Sequence, residues 1–204
     1  MTSVKFVILY EATYNTFEIS KFIEVKIVIG LARGVVKILP YSYEWKEAYN
    51  REERLLYSLI GEYAIDIQHV GSTSIEGLDS KPIIDITLGV KSLDDVEEFR
   101  NLLEIVGYQF RGNSGVEGRV FFAKGNEDLR THYLHIEIFN SDLWKNHIYF
   151  RDYLRLNKKS VEEYSRLKKE LAIKFGEDRN SYTNVKNEFI NSILKKAHKE
   201  LSKE

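Results

Sequence analysis

From Val35 onward the apolar positions switch between a period of about 3.6 and a period of 2, the pattern of a domain that mixes helices with strands. Val35–Leu39 predicts a short strand, stopped where Pro40 has no N–H to offer. Glu44–Ile60 has an apolar stripe at helical spacing and ends at Gly61. Ala64–Val70 reads as a strand, Gly71–Lys81 as a Gly- and Ser-bearing loop, and Pro82–Val90 as an apolar strand suited to a sheet interior. Ser92 with Asp95 three residues on predicts the capped start of a helix that runs to Val106 and stops at Gly107. Strands are expected at Tyr108–Arg111, Arg119–Lys124 and Thr131–Phe139, followed by helices over about 142–156, 160–175 and 179–202. The fold expected is α/β (α+β), a mixed sheet flanked by helices with a C-terminal helical part. Three regions follow: 1–34, an N-terminal hairpin or extension that contributes little; 35–140, the α/β core; and 141–204, helices packed on that core.

Composition narrows the chemistry. With 204 residues, 43% hydrophobic and 13% aromatic, the chain can bury a substantial core. A net charge of −1 gives no strong nucleic-acid signal, since coating a phosphate backbone needs a basic excess. The absence of cysteine excludes disulfides, zinc-thiolate sites and cysteine nucleophiles. No apolar run reaches the roughly 18 residues of a membrane span, and Val4–Tyr10 is too short and too interrupted, by Lys5, for a secretory leader. The sequence is therefore read as soluble and cytoplasmic, with no membrane partner.

Two strands each carry a polar pair at spacing i, i+2. Asp85 and Thr87 share one face of Pro82–Val90, while Ile84, Ile86 and Leu88 share the other. Tyr133, His135 and Glu137 lie opposite His132, Leu134, Ile136 and Ile138. A carboxylate within so apolar a strand is costly unless it is paired or binds something. If the two strands are neighbours, Asp85, His135 and Glu137 can converge into a site for Mg²⁺ or Mn²⁺. The turn ahead of Asp85 supplies Gly71, Ser72 and Thr73, whose backbone and hydroxyls suit phosphate oxygens, and Lys81 and Arg119 are candidate counter-charges. Each has a structural alternative. Asp85 could cap or pair with Lys81, Glu137 could be exposed, and His135 could be a hydrogen-bonded core histidine. His69 could orient the loop, and the Arg151, Asp152 and Arg155 group reads best as a helical ion pair.

The order of these parts resembles the nucleotidyltransferase superfamily: Val70-Gly71-Ser72, then Asp85-Ile86-Thr87-Leu88, then Ile136-Glu137-Ile138. The resemblance implies Asp85 as first metal carboxylate and Glu137 as third. It departs at Thr87, where a second carboxylate is expected, and His135 is the candidate to stand in. A closer resemblance rests on His69–Ile86, Gly118–Phe122, His132–Ile136, Phe150–Arg155, Tyr164–Ala172, and Tyr182-Thr183 with Lys186. On these blocks the chain looks like the GrpB family, which has the nucleotidyltransferase-like fold and includes a member fused to dephospho-coenzyme A kinase. The resemblance also gives small weight to Lys168, Tyr182 and Lys186 over a nucleotide.

Two functions follow as expectations. One is a metal-dependent transferase that moves a nucleotidyl or phosphoryl group to a small molecule or protein, with Asp85 and Glu137 catalytic. The other, favoured by Thr87, is a non-catalytic module that binds a nucleotide or phosphorylated small molecule, or a folding accessory with a degenerate site.

Overall fold

The computed structural model describes residues 29–175 and 178–201, so most of the 1–34 region lies outside the described residues. Five strands form one mixed sheet: β1 (Asp66–Val70), β2 (Ile84–Val90), β3 (Tyr108–Phe110), β4 (Arg119–Gly125) and β5 (Arg130–Ile138), in the order β1-β2-β5-β4-β3. Only β2 and β5 run parallel; every other pair is antiparallel. The parallel pair needs a crossover, and the chain supplies it with α2 (Val96–Ile105) and the β3–β4 excursion, so that β5 is inserted between β2 and β4.

One face of the sheet holds the main core. Ile84, Ile86 and Leu88 of β2 join Leu134 and Ile136 of β5 and Phe122 of β4 against α1 (Glu44–Ile60) and α2. The stripe read on α1 is the buried one: Trp45, Ala48, Tyr49, Glu52, Leu56 and Ile60. Glu52 is the polar member, and it accepts two bonds from Lys124 Nζ at 2.7 and 2.9 Å with His132 nearby at 3.9 Å. His132 is thus structural, as its place on the apolar face suggested. Ahead of α2, Ser92 N–H donates to Asp95 (3.3 Å) and Ser92 Oγ accepts from Asp94 N–H (3.2 Å), so the expected pairing forms just before the helix begins.

On the other face α3 (Asp142–Leu156) packs against β1, β2 and β5, and α4 (Lys158–Lys174) and α5 (Arg179–Leu201) pack on α3 and on each other, close to the helices expected. They share a second apolar cluster in which Phe150, Leu154, Tyr164, Ile193 and Ala197 enclose Ile75 and Leu78 from the loop after β1. Arg151 docks α3 on the sheet edge. Its guanidinium donates to the Gln68 side chain (2.6 Å), the His69 carbonyl (3.1 Å) and Asp152 (2.7 Å).

Two expectations change. Val35–Leu39 is not a strand, because only Leu39 pairs, through reciprocal 2.8 Å bonds with Ser80. Pro40 follows at once and cannot donate to a continued ladder. Residues 29–34 are fastened to the core: Gly30 N–H donates to Pro82 O (2.6 Å), Leu31 exchanges bonds of 2.9 and 2.8 Å with Arg130, and Arg33 N–H donates to Glu127 O (2.7 Å).

Because Arg151 satisfies a backbone carbonyl and two side chains at once, Arg151→Met is expected to lower unfolding free energy by about 2–3 kcal/mol. Urea denaturation checks this; an unchanged midpoint would mean that α3 is held by its apolar contacts alone.

Candidate functional site

The site begins where β1 ends. Gly71 has φ 66° and ψ −170°, a region essentially restricted to glycine. A Cβ there would lie 2.5 Å from Asp85 Oδ2. Backbone and carboxylate are therefore packed against each other, and a larger residue would push Asp85 aside. Ser72–Ser74 then make a single 3₁₀ turn, with Ser74 Oγ donating to Gly71 O at 2.7 Å. Arg155 clamps the turn from α3 by donating twice to Ser74 O (2.9 and 3.2 Å).

Thr73 is fixed from behind. Its hydroxyl donates to Ile83 O (3.3 Å) and lies 3.0 Å from His69 Nε2. With the hydroxyl proton committed to the carbonyl, His69 must donate from Nε2–H. The His69 ring stacks on Tyr49 at 4.7 Å. Burial, opposed by the Asp85 charge and assisted by Arg155 and Arg151, lowers the His69 pKa to about 3. His69 is a neutral brace for the turn, and the Thr73 hydroxyl is occupied in the same brace.

Parallel pairing sets Asp85 beside Tyr133 and Thr87 beside His135. The Asp85 carboxylate is 31% exposed and its Oδ1 lies 3.6 Å from His135 Nε2. On the other side of the ring, Arg119 Nη1 approaches His135 Nδ1 at 3.2 Å. A guanidinium only donates, so Nδ1 accepts and the ring proton sits on Nε2, facing Asp85. Burial pushes the His135 pKa down, against the attraction of the nearby Asp85 carboxylate. Arg119, His135 and Asp85 thus form a relay in which a cation orients a neutral imidazole toward the carboxylate.

Glu137 belongs to a different group. It is fully buried, and it accepts from Thr87 Oγ1 (3.1 Å) on one oxygen while His147 Nε2 lies 3.2 Å from the other. Burial raises its pKa, but His147, His135 and Thr87 outweigh that and leave it lowered. The potential metal-binding cluster found among the described residues is His135, Glu137 and His147, with donor atoms within 4.8 Å of one another. Asp85 stands outside it. The three expected metal residues are therefore split: Asp85 and His135 meet at the cavity, and Glu137 lies behind Thr87, outside the cavity lining.

The cavity has a volume of about 630 Å³. It includes Ser72, Thr73, Lys81, Asp85, Arg119 and His135 but not Gly71, so four of the five expected phosphate contacts share one space with Asp85. Its lining carries seven Lys or Arg residues and one carboxylate, Asp85. Lys168 is 2% exposed, lies 4.4 Å above the Tyr164 ring and contacts Ser80 Oγ at 3.5 Å. Burial, then the nearby Lys186 charge, lower its pKa well below the usual lysine range, against Asp79 and Asp85. Lys81 Nζ lies 4.5 Å over Tyr182, whose hydroxyl pKa burial pushes up to about 12. His147, Arg33, Arg111 and Arg130 join the site only through the fold. His147 had a signal: Trp144, His147 and Arg151 recur at helical spacing on α3. The arginines had none, because their positions depend on loops and on one strand irregularity.

As a test for a metal, the donor set is limited. The Asp85–His135 separation of 3.6 Å is near the roughly 3 Å between adjacent ligands of an ion bound at about 2.1 Å. With Nδ1 held by Arg119, however, His135 presents a proton and not a lone pair. Asp85 is the carboxylate of the cavity lining that could hold a hard cation. A second ion lacks its carboxylate, because Thr87 stands there and turns to Glu137.

A mixed sheet, with a cationic cleft built on a Gly-Ser turn and one strand carboxylate, defines the class of protein. Residues 35–196 match the family model described as GrpB protein. The glutamate-rich protein GrpB of Alkalihalophilus pseudofirmus is 44% identical over 171 residues, covering 82% of this chain and 98% of the relative. YqkA of Bacillus subtilis is 36% identical over 162 residues; the match spans 79% of this chain and about half, 47%, of YqkA. The crystal structure of conserved protein GrpB from Enterococcus faecalis superposes at a TM-score of 0.75 and 34% identity, over 80% of this chain and 98% of that one. Cid1 poly(U) polymerase aligns over 66% of this chain at a TM-score of 0.46 and 17% identity, too remote to carry a reaction across. The chain belongs to the GrpB family.

Two outcomes follow from the turn. Gly71→Ala is expected to cost about 1–3 kcal/mol through backbone strain alone, read from the urea midpoint; a native-like midpoint would mean that the turn relaxes without strain. His69 folds neutral, with a pKa of about 3 against about 6.5 when unfolded. Its protonation favours the unfolded chain, so its share of stability is complete above pH 6.5 or so and is lost progressively as pH falls toward 3. His69→Gln should lose less stability than the native chain between about pH 7 and pH 5; equal losses in chemical denaturation would show that His69 titrates freely.

Proposed function

We propose that this protein binds a nucleotide or phosphorylated small molecule in the cleft and, from a nucleoside triphosphate, transfers a nucleotidyl or phosphoryl group. The observation that carries this reading is the charge pattern: seven basic residues line a cavity whose single carboxylate, Asp85, is pressed against the Gly71 turn. Phosphates are the ligands that such a lining attracts, and one carboxylate is the anchor that a phosphate-bound cation needs. Ser72, Lys81, Lys168 and Lys186 face the same space and supply a hydroxyl and three amines to phosphate oxygens. Arg119 and His135 hold the Asp85 carboxylate in one orientation, which keeps it aimed without reorganisation. A Mg²⁺ or Mn²⁺ ion bound at Asp85 supplies neutralisation of phosphate charge and polarises the P–O bond. Glu137 supports this arrangement from behind through Thr87 and His147.

The contact between Thr87 and Glu137 favours a second reading, binding without turnover, because the position of a second metal carboxylate is neutral and turned inward. Incubation of the full chain with each nucleoside triphosphate, Mg²⁺ or Mn²⁺ and candidate small-molecule and protein acceptors, followed by assay of pyrophosphate, nucleoside diphosphate and modified acceptor, separates the two. On the transfer reading, Asp85→Asn lowers turnover by on the order of 10²-fold or more while calorimetry still detects nucleotide. Turnover indifferent to this substitution would sink the assignment. Nucleotide heat without turnover under either metal supports the binding module.

A further inference from the structure

Three of the cleft's arginines converge on one carboxylate that is not part of the cavity lining, Glu127. Arg33 Nη1 donates to Glu127 Oε2 (3.1 Å), Arg111 Nη2 donates to Glu127 Oε1 (3.0 Å), and Arg130 Nη2 also binds Oε1. All three line the cavity. The carboxylate they share is 53% exposed, whereas Arg130 is only 3% exposed. A buried guanidinium is thus matched by a half-exposed anion reached from solvent, the arrangement of a site occupied by an internal competitor.

Arg130 reaches the cleft through a defect in the sheet. Along β4 and β5, Lys124 pairs with His132 but Gly125 pairs with Arg130, leaving Thr131 as an extra residue. Regular alternation would put Arg130 on the face of His132, against α1. The bulge moves it to the face of Tyr133 and Asp85, and bulges commonly re-aim a side chain in this way. Arg130 Nη1 is then fixed by Gly125 O (2.8 Å) and Gln109 (3.0 Å), and Arg111 Nη2 by the same Gln109 oxygen (2.6 Å). The loop carrying Glu127 is folded by Asn126, whose side-chain oxygen accepts from Asp128 N–H (3.0 Å) and Leu129 N–H (2.8 Å). Arg33 comes from the segment fastened beside Pro82 and Arg130, just outside the matched family region.

Asp85 is on β2, and Arg111 immediately follows β3, three strands across the sheet. That is about 14 Å between backbones at about 4.8 Å per strand, so Asp85 and Arg111 stand on opposite sides of the cleft, while Arg130 lies on β5 next to β2. We propose that Arg33, Arg111 and Arg130 form a second anion subsite that holds an oxyanion group, phosphate or carboxylate, of the small-molecule acceptor, and that Glu127 occupies it until the acceptor displaces it. The class of acceptor named here rests on the transfer reading; the subsite itself does not.

The test titrates inorganic phosphate and, separately, succinate into the full-length native chain, Glu127→Gln, Arg111→Gln and Arg33→Gln by calorimetry, with circular dichroism to confirm folding. Removing the internal competitor should tighten binding of at least one anion by about tenfold, and each arginine substitution should weaken it by a similar factor. Tightening for phosphate alone identifies a phosphorylated acceptor, and tightening for succinate alone a carboxylate. Unchanged or weaker binding of both anions by folded Glu127→Gln overturns the subsite. Should Glu127→Gln misfold, equal affinities in native, Arg33→Gln and Arg111→Gln proteins overturn it as well, since both side chains are partly exposed. Nucleotide titration of the same proteins keeps the outcomes apart. Loss of nucleotide binding in the native chain removes the transfer reading, while a stronger anion response in Glu127→Gln would still establish the subsite.

Discussion

The parallel pairing of β2 with β5 is the constraint from which the site follows. Strands that run together present the same face at matched positions, so Asp85, Thr87 and Gly89 fall in line with Tyr133, His135 and Glu137. Their opposite faces supply Ile84, Ile86, Leu88, Leu134 and Ile136 to the main core. The polar ladder therefore cannot slip by one residue without placing the apolar set on the cleft and the charged set in the core. Core burial holds the functional register.

Within that register the protein arranges its polar groups into two neighbouring sets that meet at His135. Asp85 belongs with His135 and Arg119 at the cavity, and Glu137 with Thr87 and His147 behind it. The division reduces the cost of buried charge, since each carboxylate has a direct partner of its own and His135 lies between the two groups. It also explains why the cleft remains strongly cationic although the whole chain carries a net charge of −1.

The legible part of this fold was the part governed by local periodicity. The stripe on α1, the faces of β2 and β5 and the lengths of the last three helices follow from side-chain spacing, which the backbone geometry of each element imposes. The Gly71 turn was legible because its backbone conformation admits little besides glycine. Glu137 was read correctly to its face, but spacing says nothing about depth along that face, and α3 covers its end with His147. Val35–Leu39 has strand composition yet finds a partner only at Ser80. The arginines escaped notice because they come from three separate loops or strand ends, whose meeting is a tertiary fact.

The bulge at Thr131 gives the cleft an unusual dependence on the backbone. Arg130 adds positive charge there because one residue more stands on β5 than on β4. The electrostatic character of the pocket is thus written partly in strand length as well as in side-chain identity. Two chains with the same residues but with hairpins differing by a single position would present differently charged pockets, one with this guanidinium inside the cleft and one with it turned against the opposite helix.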